Sequence, residues 1–150
     1  MKKVFFFLLT VSMVCASVTG HAQATTAKVT TTETPTAANV LKWTKEVLPK
    51  MERLVPKLEK IKAGTGKSSM DAIRLLATVN HLKEIKKKGT MLKAAEAKNY
   101  YDLIAATVNV FYIECQSHNG NVCCIDCHPH GILGVWCFAN CFVASLPGLD

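Results

Sequence analysis

The chain has 150 residues, seven cysteines and a formal charge of +7, enough for one modest domain plus a small appendage. Its charge is lopsided: Lys28 to Lys98 holds 16 basic residues against seven acidic ones, and beyond Lys98 there are four acidic residues and no basic one. No Ser-His-Asp order, paired-carboxylate motif or H-E-x-x-H occurs in the sequence, so an enzyme is not expected.

Residues 1–22 read as a secretory signal peptide. Lys2 and Lys3 supply the positive start, Val4 to Cys15 an apolar run too short for a membrane span, and Gly20-His21-Ala22 before Gln23 a cleavage site. Val14-Cys15-Ala16 before Ser17 is a second site; lipid attachment at Cys15 is disfavoured by the bulky Val14. A cut after Ala22 lowers the charge to +5 and leaves six cysteines, all within residues 115–150. An even count in a secreted chain, extracellular or periplasmic, favours disulfides, and sequence does not choose their pairing. The basic body suits an anionic membrane surface, an acidic polysaccharide or a cell-surface receptor. Export argues against nucleic acid.

Residues 23–36, with seven Thr and one Pro, lack the large apolar groups that offset ordering entropy and read as a flexible tether. Residues 37–114 form a basic helical domain. From Ala37 to Lys62, Val40, Val47, Leu54 and Ile61 make one heptad column, Leu41, Leu48 and Val55 the next, and Met51 and Leu58 a third. Those columns give one broad apolar helical stripe. Pro49 and Pro56 sit on one face of it, and each costs about 3 kcal/mol in a helix interior, so a kinked or segmented helix is predicted.

Ala63-Gly64-Thr65-Gly66-Lys67-Ser68 resembles part of a phosphate-binding loop, but Ile61 stands where the first glycine belongs, so it reads as a helix-to-helix turn. Ser68 is the predicted N-cap of a second helix, with Asp71 three residues on. Met70, Ile73, Leu76, Val79, Leu82 and Ile85 mark its inner side, and Lys86-Lys87-Lys88-Gly89 its end. The rival reading of the lysines is a cleavage site releasing Gly89 to Asp150. His81 on this helix reads as structural. A third helix is predicted from Met91 to Ile113, with Tyr100, Ile104, Val108 and Phe111 on one face and an end, Val108 to Ile113, that also suits an extended strand. The fold class expected is mainly α: an antiparallel three-helix bundle with a C-terminal disulfide-rich module containing a short apolar helix.

That module, residues 115–150, carries Cys115, Cys123, Cys124, Cys127, Cys137 and Cys141 as disulfide candidates, with a turn at Asn119-Gly120. Ile132 to Leu146 is apolar apart from Asn140 and Ser145, yet shorter than the ~20 residues of a spanning helix. As a helix it sets Cys137 and Cys141 one turn apart. Either it docks on the bundle as a fourth helix, or Ile132, Leu133, Trp136, Phe138 and Phe142 meet a membrane.

Cys124-Ile125-Asp126-Cys127-His128 also matches the c-type haem attachment pattern, two thiols for thioethers and an adjacent imidazole for iron. His118, His130, Met51, Met70 or Met91 would be the second axial ligand. The placement resembles that of helical-bundle cytochromes, whose motif lies inside the final helix; here Pro129, Gly131 and Gly134 follow it. Cys123, Cys124, Cys127, His128 or His130 with Cys137 and Cys141 have spacings that enclose zinc. Oxidation of the thiols outside the cell takes precedence, so no metal and no cofactor are assigned, with haem c as the alternative. A Cys124-x-x-Cys127 oxidoreductase lacks the βαβ pattern. Signal, helical segment and cysteine-rich end follow the layout of secreted antimicrobial or toxin-like precursors. The expected function is therefore a secreted, cysteine-stabilised precursor of a membrane-active antimicrobial, bacteriocin-like or toxin-like effector. The alternatives are a non-catalytic extracellular binding or structural protein and a haem electron carrier using Cys124, Cys127 and His128.

Overall fold

The computed structural model describes residues 34–117, 127 and 131–148. The signal, most of the tether, the Asn119-Gly120 turn, Cys15, Cys123, Cys124, His118, His128 and His130 lie outside these described residues. The described chain is mainly helical, with four α-helices.

Helix α1 spans Ala37–Lys62. Thr36 caps it, its hydroxyl accepting the Asn39 N–H at 3.2 Å. Val40, Val47, Leu48, Met51, Leu58 and Ile61 of the heptad columns are buried, and Leu41, Leu54 and Val55 pack half-buried beside them. Contrary to the predicted segmentation, α1 runs uninterrupted through Pro49 and Pro56. Both prolines are exposed, as are Lys45 and Glu52, whose carbonyls lose their helical donors. Water replaces those donors on the outer face, so the cost is smaller than in a buried interior.

The turn closes with Ala63 N–H on the Glu59 carbonyl and Gly64 N–H on the Ile61 carbonyl. Helix α2 spans Lys67–Lys88 and starts one residue before the predicted cap Ser68. Gly66 takes the cap position at φ 83°, a conformation open to glycine. The neighbouring Ser69 hydroxyl instead donates to the Lys62 carbonyl at 2.8 Å, closing the end of α1. The inner face of α2 is also shifted: Ala72, Leu75, Val79, Leu82 and Ile85 are buried, whereas Met70 and Ile73 are exposed. The apolar pattern at the start of α2 misleads because Ser69 and Asp71 bury polar atoms that find partners there.

A 3-10 turn, Gly89–Met91, leads to α3, Ala94–Ser117. Met91 therefore lies before the helix, 78% exposed. The Val108 to Ile113 stretch stays helical, and Cys115 sits in the last turns of α3. Glu96 accepts the Lys93 N–H at 3.2 Å and holds Lys88 at 2.7 Å, joining the end of α2 to the start of α3.

Helix α4, Gly131–Ala144, is the apolar run. Its contacts give its direction. Tyr101 lies against Gly131, while Phe111 meets Phe142 with ring centroids 5.8 Å apart. Moving along α3 thus moves forward along α4, and the two run parallel. Between α2 and α3 the order reverses, with Lys67 on Glu114, His81 on Tyr100 and Lys88 on Glu96. Helix α4 packs on both α1 and α3, and one continuous core takes side chains from all four helices.

Candidate functional site

Two features stand out where the helices meet. The first is a cleft of about 250 Å³ between the start of α2, the end of α3 and the end of α4. Phe111, Phe138 and Phe142 give it an apolar wall, with Ser145 and Leu146 at one end. Lys67, Ser68, Asp71 and Glu114 supply its polar side.

That polar side is built around a buried carboxylate. Asp71 is 2% exposed, and Arg74 reaches its Oδ1 at 2.7 Å while Lys67 lies 3.6 Å from Oδ2. Lys67 Nζ also contacts Glu114 Oε2 at 2.8 Å, so one ammonium ties the first turn of α2 to α3. The hydrogen bond that Lys67 donates to Glu114 holds its ammonium above the usual lysine range, against the opposing effect of desolvation and with further support from the Asp71 charge. An apolar wall with a few convergent polar groups suits a small molecule with one polar end. Arg74 and Glu114 do not stand out in the sequence, and Lys67 and Asp71 stand out there only as parts of a turn and a helix start. Only the fold brings positions 67 and 71 to position 114.

The second feature is a cluster of sulfur. Cys127 and Cys137 form a disulfide, and Cys115 and Cys141 are also disulfide-bonded. Cys141 Sγ lies 3.7 Å from Cys127 Sγ, and Cys127 and Cys141 are each 2% exposed. The spacing of Cys137 and Cys141 on α4 sets both sulfurs toward Cys127, within 4.8 Å of one another. Because one helical turn separates them, one approaching residue meets both.

No protein-family model, curated protein or solved structure matches this chain. Its chemistry is read from its own residues.

Of the membrane-contact candidates, Ile132 and Phe138 are each 1% exposed and lie in the core. Phe142 and Trp136 are half-buried, Phe142 against Phe111 and Trp136 beneath Lys50 Nζ at 5.2 Å from the ring centroid. Leu133 is the exposed member of the set. A c-type haem would need sulfur from Cys124 and Cys127; the Cys127 sulfur is bonded to Cys137, so the described residues do not fit a thioether there. Cys124 and His128 lie outside the described residues. Among the methionines named as axial ligands, Met51 is buried in the core and Met70 and Met91 are exposed. His81 packs its ring on Tyr100, centroids 5.8 Å apart. Among the described residues no helix is long and apolar enough to cross a membrane.

Proposed function

We propose that this is an exported, non-catalytic binding protein, a basic helical body with a disulfide-braced C-terminal module. Its cleft receives a small, mainly apolar molecule carrying one polar group. The observation behind this reading is the placement of α4: its apolar side fills the core, yet Phe138 and Phe142 still line an opening under the Lys67–Glu114 bridge. The signal pattern of residues 1–22 and the bonded cysteines support an oxidising destination. The lysine-rich exterior of α1 and α2 supports encounter with an anionic surface or an acidic receptor.

A titration with a neutral fluorescent probe of naphthalene size tests the reading. One saturable site is expected on the folded, oxidised chain. Ser145→Trp, at an exposed edge of the cleft, should block it without altering helix content. Equal binding by wild type and Ser145→Trp would rule the cleft out.

The membrane-active effector remains as a second reading because α1 covers α4. A cut after Lys88 would remove that cover. The intact chain should then leave anionic vesicles sealed, while the protease-cut chain releases trapped dye, less so in added salt. Sealed vesicles after complete cleavage would count against this reading.

A further inference from the structure

We propose that Cys127, Cys137 and Cys141 form a thiolate site for one soft divalent cation, zinc or cadmium, once their disulfides have been reduced by a dithiol or phosphine. The chemistry balances simply. Each bond opened takes two electrons from the reductant and two protons, which a dithiol gives as it closes to its own disulfide and which water gives when a phosphine is oxidised to its oxide. The cation then displaces three thiol protons to the solvent, giving one metal held by three thiolates.

Geometry carries the proposal. Zinc–thiolate bonds are about 2.3 Å long, so sulfurs on two corners of a tetrahedron around zinc lie about 3.8 Å apart. Cys127 Sγ and Cys141 Sγ are already 3.7 Å apart. Cys137 Sγ, now bonded to Cys127, lies in the same group of three, all within 4.8 Å. Opening the Cys127–Cys137 bond lets those two sulfurs separate to the same tetrahedral edge, a movement of under 2 Å that side-chain rotation supplies. Two of the three ligands stand on one rigid helix, so their relative placement survives reduction.

The surroundings suit a soft cation rather than a hard one. Cys127 and Cys141 are 2% exposed, and Val135, Phe138 and Ala139, also buried, flank Cys137 on α4. Three thiolates this close, two buried and Cys137 half-buried, would repel one another without a cation and stay protonated. A divalent cation removes that repulsion, and thiolate selects zinc or cadmium over magnesium or calcium. The segment carrying Cys127 is thus clamped to α4 by either of two crosslinks using the same sulfurs, a disulfide or a metal. The inference stands independently of the cleft.

Alkylation mapping of the full chain tests it. The protein is reduced with a phosphine, incubated with or without zinc, pulsed with iodoacetamide, and each cysteine is read by peptide mass spectrometry. Zinc is expected to slow alkylation of Cys127, Cys137 and Cys141 at least tenfold while Cys115 reacts at its original rate. Native mass spectrometry should show one zinc or cadmium per chain, and cadmium should give a thiolate charge-transfer band. Cys137→His, which restores a metal-binding nitrogen, should retain the cation with a weaker band, and Cys137→Ser should lose at least tenfold in affinity. No retained metal, equal protection of every cysteine, or protection that omits Cys137 and Cys141 would overturn the proposal.

Discussion

Gly131 opens α4 directly against the ring of Tyr101. A Cβ on Gly131 would stand 2.7 Å from Tyr101 Cε2 and Oη, and the residue's φ of 45° already disfavours a side chain. The ring has little room to retreat, because Trp43 packs on it with centroids 5.9 Å apart. This contact fixes where α4 begins relative to both α1 and α3, and thereby where Phe138 and Phe142 meet the cleft.

Gly131→Ala should therefore destabilise the fold by about 2–3 kcal/mol, combining backbone strain with steric displacement of the ring. Urea unfolding followed by circular dichroism measures it. Adding Tyr101→Leu should recover the steric part, so the double variant falls short of the sum of the singles. Strict additivity would mean that the ring and the glycine do not oppose each other.

Thr44 offers a change in the opposite direction. It is fully buried in α1, and its Oγ1 has no hydrogen-bond partner. Valine has nearly the same shape and no hydroxyl to desolvate, so Thr44→Val should stabilise by about 1 kcal/mol. That corresponds to a rise of about 3–5 °C in melting temperature for a chain of this size. An unchanged or lower melting temperature would mean the hydroxyl is satisfied in solution.

What was legible in the sequence was periodicity. The α1 stripe is the clearest example, since Val40, Val47, Leu48, Met51, Leu58 and Ile61 all reach the core where their heptad columns put them. At the start of α2 the pattern points to the wrong side, because Met70 and Ile73 look like core, while Ser69 and Asp71 are buried with partners seven or fewer residues away. Hydrophobic pattern cannot register a polar group that is satisfied on folding. The cleft escaped notice for a related reason. Its wall joins Phe111 to Phe138 and Phe142, and nothing in the local sequence encodes that α4 returns parallel to α3. The cysteines announced crosslinking by their number, while bringing Cys141 beside the Cys127–Cys137 bond depends on tertiary packing.

The Cys127–Cys137 bond closes a loop with a sequence separation of 10. Loop-closure entropy for a short ring of this kind amounts to about 2–3 kcal/mol. Cys137→Ser should lose about that much stability under oxidising conditions. Amide hydrogen exchange should also speed up more in α4 than in α1 and α2, since the bond ties Cys127 to α4. Uniform acceleration across all four helices would show that the bond supports the whole core rather than this segment.

The Lys88–Glu96 pair gives the stability a pH signature. Its hydrogen bond to Lys88, with a further one from the Lys93 N–H, holds the Glu96 carboxyl below the usual glutamate range, and the same bond raises Lys88 above the usual lysine range. A lowered carboxyl contributes stability above its unfolded value and loses it as pH falls through the folded one. A raised ammonium contributes below its unfolded value and loses it as pH climbs through the folded one. The stability difference between wild type and Glu96→Gln should therefore be flat across neutral pH and shrink at both the acid and the alkaline ends. Added salt should reduce the plateau, since the pair is partly open to solvent. Thermal melts of both proteins over a pH series read this directly. A difference that stays constant at every pH and salt concentration would show that the charge of Glu96 contributes nothing to stability.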